Sequence, residues 1–186
     1  QVPAPAHVRI KPTNVCNHSC WFCAYRSDAV SLGSGMDTRD RIPRDAMMEI
    51  VDDLVGMGVA AVTFSGGGEP LIYPHIAEAV TRLALGGVRI GALTNGSMLK
   101  GRVADAFALH GTWLRVSIDG WDAASNDPIR GEGTFERILN GVRALASVGL
   151  SPVITVTEAC DGAGTREGRR RFLAFLRDVG LPRPRL

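Results

Sequence analysis

Five short runs of apolar and β-branched residues alternate along the chain with longer stretches of helical periodicity. This alternation limits the fold strongly, because right-handed helical crossovers between strands place neighbouring strands parallel. It predicts an α/β fold, either a (β/α) barrel or a doubly wound sheet. The predicted strands are residues 8–11, 60–65, 88–94, 113–118 and 153–157.

The stretches between the predicted strands carry helix start and stop signals. Pro43 precedes the first helix and Gly58 follows it, while Pro74 suits the first turn of the second. Thr134 and Thr165 are predicted N-caps. The predicted helices are residues 44–57, a segment starting at 74, 101–109, 134–148 and 165–179.

The composition is that of one globular domain, residues 1–186. Hydrophobic residues make up 45% of the chain, charged residues 22%, and the net charge is +2 at pH 7. These values favour neither nucleic acid nor a membrane as a partner. The apolar stretch 55–64 is about half as long as a bilayer span. Because residues 1–6 lack the features of a secretory signal, we expect a cytoplasmic location.

Three of the four cysteines, Cys16, Cys20 and Cys23, lie within eight residues directly after the first predicted strand. In a reducing compartment such a group indicates a metal site rather than disulfides. Three thiolates can hold three corners of a cubane iron–sulfur cluster and leave the fourth iron open to a ligand. Cys160 stands alone, and we assign it no role.

A zinc site is the main alternative for the cysteine loop. Structural zinc usually takes four protein ligands, commonly from two Cys-x-x-Cys pairs. The nearby fourth ligand here is His18, which lies between two of the cysteines and is otherwise expected to face solvent or to lie behind the ligands.

Unusual residues also follow the other predicted strands. Glycines and an acidic residue occupy 66–70, Asn95 and Gly96 follow the third strand, Asp119 and Gly120 the fourth, and residues 158–161 the fifth. Since ligands bind at the carboxyl ends of the strands in both candidate folds, this placement predicts one site at that edge.

The segment Cys16-x-x-x-Cys20-x-Phe22-Cys23 resembles the hallmark loop of the radical S-adenosylmethionine (SAM) superfamily, with Phe22 at the aromatic position. The resemblance implies a partial (β/α) barrel and a [4Fe-4S] cluster on the three cysteines. It further implies that S-adenosylmethionine chelates the unique iron and is reductively cleaved to a 5'-deoxyadenosyl radical, which abstracts a hydrogen atom from the substrate.

The glycine-rich segment resembles the Gly-Gly-Glu-Pro loop of that superfamily, which contacts the amino group of the cofactor. The alternative is a tight turn before the next helix, although a turn does not explain the acidic residue. We expect Glu69 to organise the loop rather than to transfer protons. The cofactor-binding residues implied here are Gly66, Gly67, Gly68, Glu69 and Pro70.

The fourth predicted strand alternates between apolar and polar residues. Leu114, Val116 and Ile118 should face the covering helices, whereas Arg115, Ser117 and Asp119 should point into the barrel. By resemblance, Ser117 contacts the cofactor's ribose or carboxylate and Asp119 supports it. The alternative is that Asp119 only forms a turn with Gly120.

Two further residues are candidates by resemblance. Asn95 matches a polar position at the end of the family's third strand, although Asn-Gly is also an ordinary turn signal. Arg130 can pair with a carboxylate, although an arginine in a solvated loop is the more ordinary interpretation.

The family's usual core has six strand–helix units, and five can be counted before Leu186. The sixth strand is thus missing or lies beyond this residue, as would any C-terminal SPASM/twitch extension for auxiliary clusters. We therefore expect a radical SAM enzyme with a small-molecule or peptide substrate and with a flavodoxin or ferredoxin as electron donor. The alternatives are a non-catalytic iron–sulfur or zinc protein and an inactive remnant.

Overall fold

The computed structural model describes residues 4–27, 33–157, 162–181 and 184. The strands are β1 (His7–Ile10), β2 (Ala61–Phe64), β3 (Arg89–Thr94), β4 (Gly111–Ser117) and β5 (Val153–Thr155). The α-helices are α1 (Arg44–Gly56), α2 (Ile76–Leu85), α3 (Gly101–His110), α4 (Ala123–Arg130), α5 (Thr134–Ser147) and α6 (Arg166–Asp178). A short 3-10 helix, Pro70–Ile72, precedes α2.

All five strands form one parallel sheet in the order β1-β2-β3-β4-β5. Each strand pairs with the strand that follows it in the chain, so the order never reverses. A doubly wound sheet has such a reversal and a barrel does not. The chain therefore has an α/β fold with five units of a partial barrel.

The hydrophobic core lies between the sheet and the helices that cover its outer face. Alternate strand residues point into this layer, because successive side chains of a strand face opposite sides. From the strands the core contains Ile10, Val62, Phe64, Ile90, Ala92, Leu114, Val116 and Ile154. None of the helices within the described ranges is long and apolar enough to cross a bilayer.

The helix starts confirm one predicted cap and correct another. Thr165 caps α6, since its Oγ1 accepts a hydrogen bond of 3.0 Å from the Gly168 N–H. The prediction for Thr134 is wrong, because Thr134 is the first residue of α5 and Gly133 occupies the N-cap position with φ 67°. The helix predicted from Pro74 begins two residues later, at Ile76, after the 3-10 turn.

Helix α4 lies where no helix was predicted. Its start carries a capping box, in which Asp122 accepts a hydrogen bond from the Ser125 N–H and Ser125 accepts one from the Asp122 N–H. Pro128 within the segment normally disfavours a helix, because proline lacks an N–H and clashes with the preceding turn. The capping box and the tertiary contacts of the last residue, Arg130, hold the short helix despite that proline.

Asp127 of α4 supplies the hydrogen-bond acceptors that α5 lacks at its start. Its carboxylate accepts from the backbone N–H groups of Gly133 and Phe135, both at 2.8 Å, and from the Thr134 hydroxyl at 3.1 Å. Partial burial favours a higher pKa for Asp127, but the hydrogen bonds outweigh it and hold the pKa below its usual value. The carboxylate thus fastens α4 to α5.

Replacing Asp127 with alanine should lower the free energy of unfolding by about 1 kcal/mol at pH 7, the usual cost of losing a helix cap. Because the folded-state pKa is depressed, this stabilisation is complete above the unfolded value near ~4 and is lost as the pH falls through the folded value. Urea denaturation of both proteins between pH 7 and pH 3 measures the difference.

The matched control is Asp105→Asn, which changes an exposed carboxylate in the middle of α3. It should leave the stability nearly unchanged at every pH. An equal loss in both variants, or a difference for Asp127→Ala that grows in acid, contradicts the assignment.

Candidate cofactor and metal site

The cysteine loop is fixed against the glycine-rich loop at the carboxyl edge of the sheet. The two loops follow β1 and β2, which are neighbours in the sheet. Backbone hydrogen bonds join them, from Gly68 N–H to Thr13 C=O at 3.2 Å and from Glu69 N–H to Val15 C=O at 2.8 Å. This pairing sets the position of the first cysteine, Cys16, one residue further along.

The three cysteines of the loop are free thiols, and each is half-buried. Burial raises the pKa of Cys16 and of Cys20. The loop turns back on itself at Cys23, whose N–H donates to the Cys20 C=O at 3.1 Å. In the described part of the chain, no group of three or more His, Cys, Asp or Glu side chains could hold a single metal ion.

The glycines of the second loop are required by the close approach of the first. A Cβ atom at Gly68 would lie 2.1 Å from the Val15 carbonyl oxygen, and one at Gly67 would lie 2.7 Å from Asn14 Oδ1. Both distances are far below van der Waals contact. At Gly68 the clash is with backbone atoms, so a larger residue there would push the cysteine loop away, whereas at Gly67 the Asn14 side chain would have to move. Gly68 therefore allows the backbones of the two loops to approach closely, one residue before Cys16.

Glu69 is a buried carboxylate that ties the glycine-rich loop to the end of β3. It accepts hydrogen bonds from the Leu71 N–H at 3.0 Å, the Thr94 hydroxyl at 2.5 Å and the Asn95 N–H at 2.7 Å. Burial raises the pKa of Glu69, and these three bonds oppose the rise. The contacts are those of a residue that organises the loop, as the sequence predicts.

Asn95 connects the same region back to the cysteine loop. Its side-chain N–H donates to Asn17 Oδ1 at 3.0 Å, and its Oδ1 accepts from the Ser97 hydroxyl at 2.7 Å. Asn17 in turn donates to Ser97 Oγ at 2.9 Å. Since Asn17 directly follows Cys16, the three side chains hold the loop from the β3 side. The Asn-Gly segment is thus more than a turn.

Asp119 and Arg130 form a buried ion pair on the other side of the site. Arg130 Nε lies 2.7 Å from Asp119 Oδ2, and the two side chains are 6% and 0% exposed. The contact is an ion pair rather than a well-aligned hydrogen bond. The other oxygen of Asp119 accepts from the Thr157 N–H at 2.6 Å, just after β5.

Arg130 also contacts the cysteine loop directly. Its Nη1 lies 3.8 Å from Cys20 Sγ, and its guanidinium lies 5.8 Å from the centre of the Phe22 ring. Its backbone carbonyl accepts a hydrogen bond from the Ser19 N–H at 3.2 Å. Arg130 is therefore the group that joins the cysteine loop to β4 through Asp119.

For three residues this geometry excludes one of the interpretations that the sequence leaves open. Arg130 is not a solvated loop arginine, because it ends α4 and is buried. Asp119 does more than form a turn, because it is fully buried beside a cation. His18 does not face solvent, because it is 5% exposed. A capping pattern from Asp122 to Ser125 could have revealed α4, but the Arg130 partner depends on long-range folding.

His18 is enclosed within the cysteine loop. Burial, together with the positive charges of Arg130 and Arg137, lowers the pKa of His18 to about 4. Within the described residues neither ring nitrogen has a hydrogen-bond partner. The ring is therefore neutral at physiological pH.

Ser117 ends β4 and is half-buried, opposite Thr155 of β5. Its position at the carboxyl edge agrees with the predicted strand pattern, as do the buried Leu114, Val116 and Ile118. The interpretations of residues 158–161, including Cys160, lie outside the described residues.

Breaking the buried ion pair should cost far more than breaking a surface pair. Arg130→Met leaves the Asp119 carboxylate buried and unpaired, so we expect the free energy of unfolding to fall by about 3–5 kcal/mol. Because both changes remove the same pair, the double variant Arg130→Met/Asp119→Asn should lose less than the two single variants combined. Urea denaturation of the metal-free protein measures all three.

The control is Arg82→Met, which removes an exposed partner of Asp52 at the surface. It should cause only a small loss. Strictly additive losses at Arg130 and Asp119, or a loss no larger than that of the control, would contradict a buried, coupled pair.

Comparison with known proteins gives the family. A family model described as the Radical SAM superfamily matches residues 10–162. Mycofactocin maturase MftC of Mycobacterium tuberculosis is 31% identical over 151 residues, which are 81% of this chain and 37% of that protein. The AdoMet-dependent heme synthase of Methanosarcina barkeri is 31% identical over 144 residues, 76% of this chain and 39% of that protein.

Among solved structures, Streptococcus suis SuiB bound to the precursor peptide SuiA superposes with a TM-score of 0.77 at 18% identity. The match covers 98% of this chain and 39% of SuiB, and at that identity it shows the fold alone. The chain spans only 37% to 51% of the length of these and similar curated relatives. Since the family model covers most of the residues, including the whole cysteine and glycine-rich loops, the chain belongs to the radical SAM superfamily.

Proposed function

We propose that this chain is the cofactor-binding core of a radical SAM enzyme, in which Cys16, Cys20 and Cys23 hold a [4Fe-4S] cluster. The observation that carries the proposal is the position of three free thiols on a loop fixed between a glycine-rich loop and a buried cation. Each thiolate of a cubane cluster binds a different iron, so the three sulfurs need not converge on one ion. Three donors leave the fourth iron open.

The residues around the thiols fit S-adenosylmethionine. In our assignment, backbone groups of Gly66, Gly67 and Gly68 hold its amino group, in a loop whose shape Glu69 and Pro70 maintain. Ser117 and Asn95, at the ends of two strands, hold its polar groups. The guanidinium of Arg130 offers a positive charge to its carboxylate, and Asp119 keeps that guanidinium in place. Phe22 packs beside the same guanidinium.

When bound to the three cysteines, the cluster would supply the electron for reductive cleavage of S-adenosylmethionine to methionine and a 5'-deoxyadenosyl radical. The protein's own residues would position S-adenosylmethionine and shield the cluster. The half-buried cysteine loop limits access of water to the sulfurs. The low pKa of His18 keeps this enclosed side chain uncharged beside the cation.

The proposal extends to partners and location. The substrate is a small molecule or a peptide, and the bound precursor peptide of SuiB supports the peptide option. A flavodoxin or ferredoxin supplies the electron. We place the protein in the cytoplasm, since free thiols that ligate a cluster need a reducing compartment.

Replacing any one of the three loop cysteines with serine should abolish a stable four-iron cluster and the formation of 5'-deoxyadenosine. The reason is that a hydroxyl is a much poorer ligand for iron in such clusters than a thiolate. Iron and sulfide content and product formation are measured after anaerobic reconstitution and reduction with dithionite.

Cys160→Ser is the matched control, because it removes a thiol outside the loop and should keep the cluster and the activity. One equivalent of zinc without iron in anaerobically purified protein would contradict the proposal. So would a protein with a fully loaded cluster that forms no 5'-deoxyadenosine.

The charge of Arg130 should raise the reduction potential of the cluster. A cation 3.8 Å from a ligating sulfur favours the more negative, reduced form. We expect Arg130→Gln to lower the midpoint potential, whereas Arg130→Lys, which keeps the charge, should lower it less. Electron paramagnetic resonance during a redox titration measures the potentials. An unchanged or higher potential in a folded, cluster-loaded Arg130→Gln protein would refute the charge effect.

A further inference from the structure

The inner face of the partial barrel is the sheet face that the helices leave uncovered. The residues that point to this inner face alternate with the core residues along each strand. A contact between His7 Nε2 and Thr63 Oγ1 at 2.7 Å shows that β1 and β2 present these side chains on one side. The inner-facing residues that concern a ligand are Arg9, Arg89, Gly91, Trp113, Arg115 and Ser117.

The strand register arranges this face in rows. Arg9, Thr63, Gly91 and Trp113 pair successively across β1 to β4 and form one row. A Cβ atom at Gly91 would lie 2.1 Å from Trp113 Cε2, so the indole ring lies across the glycine. The flat ring thus covers part of the inner face and remains 39% exposed.

Arg115 lies in the next row toward the carboxyl edge. It pairs in register with Leu93 on one side and with Val153 on the other. Ser117, which we assign to the cofactor, follows it two residues later on the same face. Of the three strand arginines, Arg115 is therefore the nearest in register to the cofactor-binding edge.

The charged residues that the described strands place on the inner face are all positive. The five described strands contain three arginines, Arg9, Arg89 and Arg115, all on this face and exposed, and no Asp or Glu. Lys11 follows β1 and donates to the Tyr25 hydroxyl at 3.0 Å.

None of the three strand arginines forms an ion pair with a carboxylate among the residues that the structure describes. The carboxylate at the rim, Asp119, is already paired with Arg130. By contrast, Arg44 and Arg82 on the outer helices pair with Glu78 and Asp52. Within the described residues, the inner cations therefore have no carboxylate partner on this concave surface, which concentrates a positive potential.

We propose that this inner face binds a small-molecule substrate through its phosphate or carboxylate groups, with Arg9 and Arg115 as the principal contacts. The inference rests on the proposed function, since it places the substrate beside the cofactor that we assign to the rim. The guanidinium fork matches either anion with two hydrogen bonds.

The separation of the two arginines indicates the size of the anion. They lie three strand spacings apart, on β1 and β4, and are offset by two residues along the strands. Their Cα atoms would be ~16 Å apart in a flat sheet and closer in a curved one. Long side chains reaching toward each other can grip a ligand with several anionic groups. Trp113, between them, offers a flat apolar surface to the remainder of the substrate.

Calorimetric titration of this chain, without cluster or S-adenosylmethionine, with tripolyphosphate and separately with citrate tests the proposal. We expect binding of at least one probe, weakened about 10-fold by Arg9→Gln and by Arg115→Gln, the usual effect of losing one charge-assisted hydrogen bond. Arg115→Lys should weaken it less. Tighter binding of tripolyphosphate would identify a phosphate site, and tighter binding of citrate a carboxylate site.

The matched control is Arg102→Gln, an exposed arginine of α3 on the outer side. It should change affinity less than about 2-fold, because a surface charge acts only weakly at a distance. Circular dichroism verifies folding of each variant. No binding of either probe, or equal losses in the control, would overturn the proposal. Because the titration needs no cluster, its result is independent of whether S-adenosylmethionine is cleaved.

Discussion

Asp119 and Arg130 are an oppositely charged pair that the fold withdraws almost completely from water. Removing two charges from water is costly, and the cost is met only when both partners keep their geometry. That geometry requires the chain after β4 to place Asp119 in the interior, α4 to form, and the Thr157 N–H to donate to the Asp119 carboxylate. The guanidinium of Arg130 also lies next to Cys20, so the position of the cysteine loop depends on an ion pair between the end of α4 and the residues after β4.

A second buried carboxylate, Glu69, acts from the opposite side of the site. Its carboxylate accepts hydrogen bonds from the backbone N–H groups of Leu71 and of Asn95, the residue after β3. The Asn95 side chain in turn donates to Asn17, which follows Cys16. The cysteine loop is thus held from both flanks by side chains that lie at the ends of other strands. A loop fixed in this way can present three thiols without being a regular element itself, which agrees with the cluster role that we propose.

Much of the fold follows from local patterns in the sequence. Short apolar and β-branched runs predict the strands, because parallel strands are covered by helices and therefore rich in such residues. Ligands bind at the carboxyl ends of parallel strands, and this rule predicts that the loops after the strands form one site. What failed depended on distant partners or on competing local signals. Pro128 is unfavourable inside a helix, so the sequence does not indicate α4. Gly133, and not Thr134, is the N-cap of α5. Nothing near Arg130 in the sequence reveals Asp119 as its partner. The burial of His18, near Arg130 and Arg137, likewise depends on residues that are distant in the sequence.

The central claim is that the three cysteines leave one iron open for S-adenosylmethionine. Electron–nuclear double resonance on the reduced, cluster-loaded protein, with S-adenosylmethionine labelled with ¹⁵N at its amino group, tests this claim most directly. The account predicts a ¹⁵N coupling strong enough to require a direct bond between nitrogen and iron. A spectrum that shows an intact four-iron cluster and no such coupling in the presence of saturating labelled cofactor would contradict it.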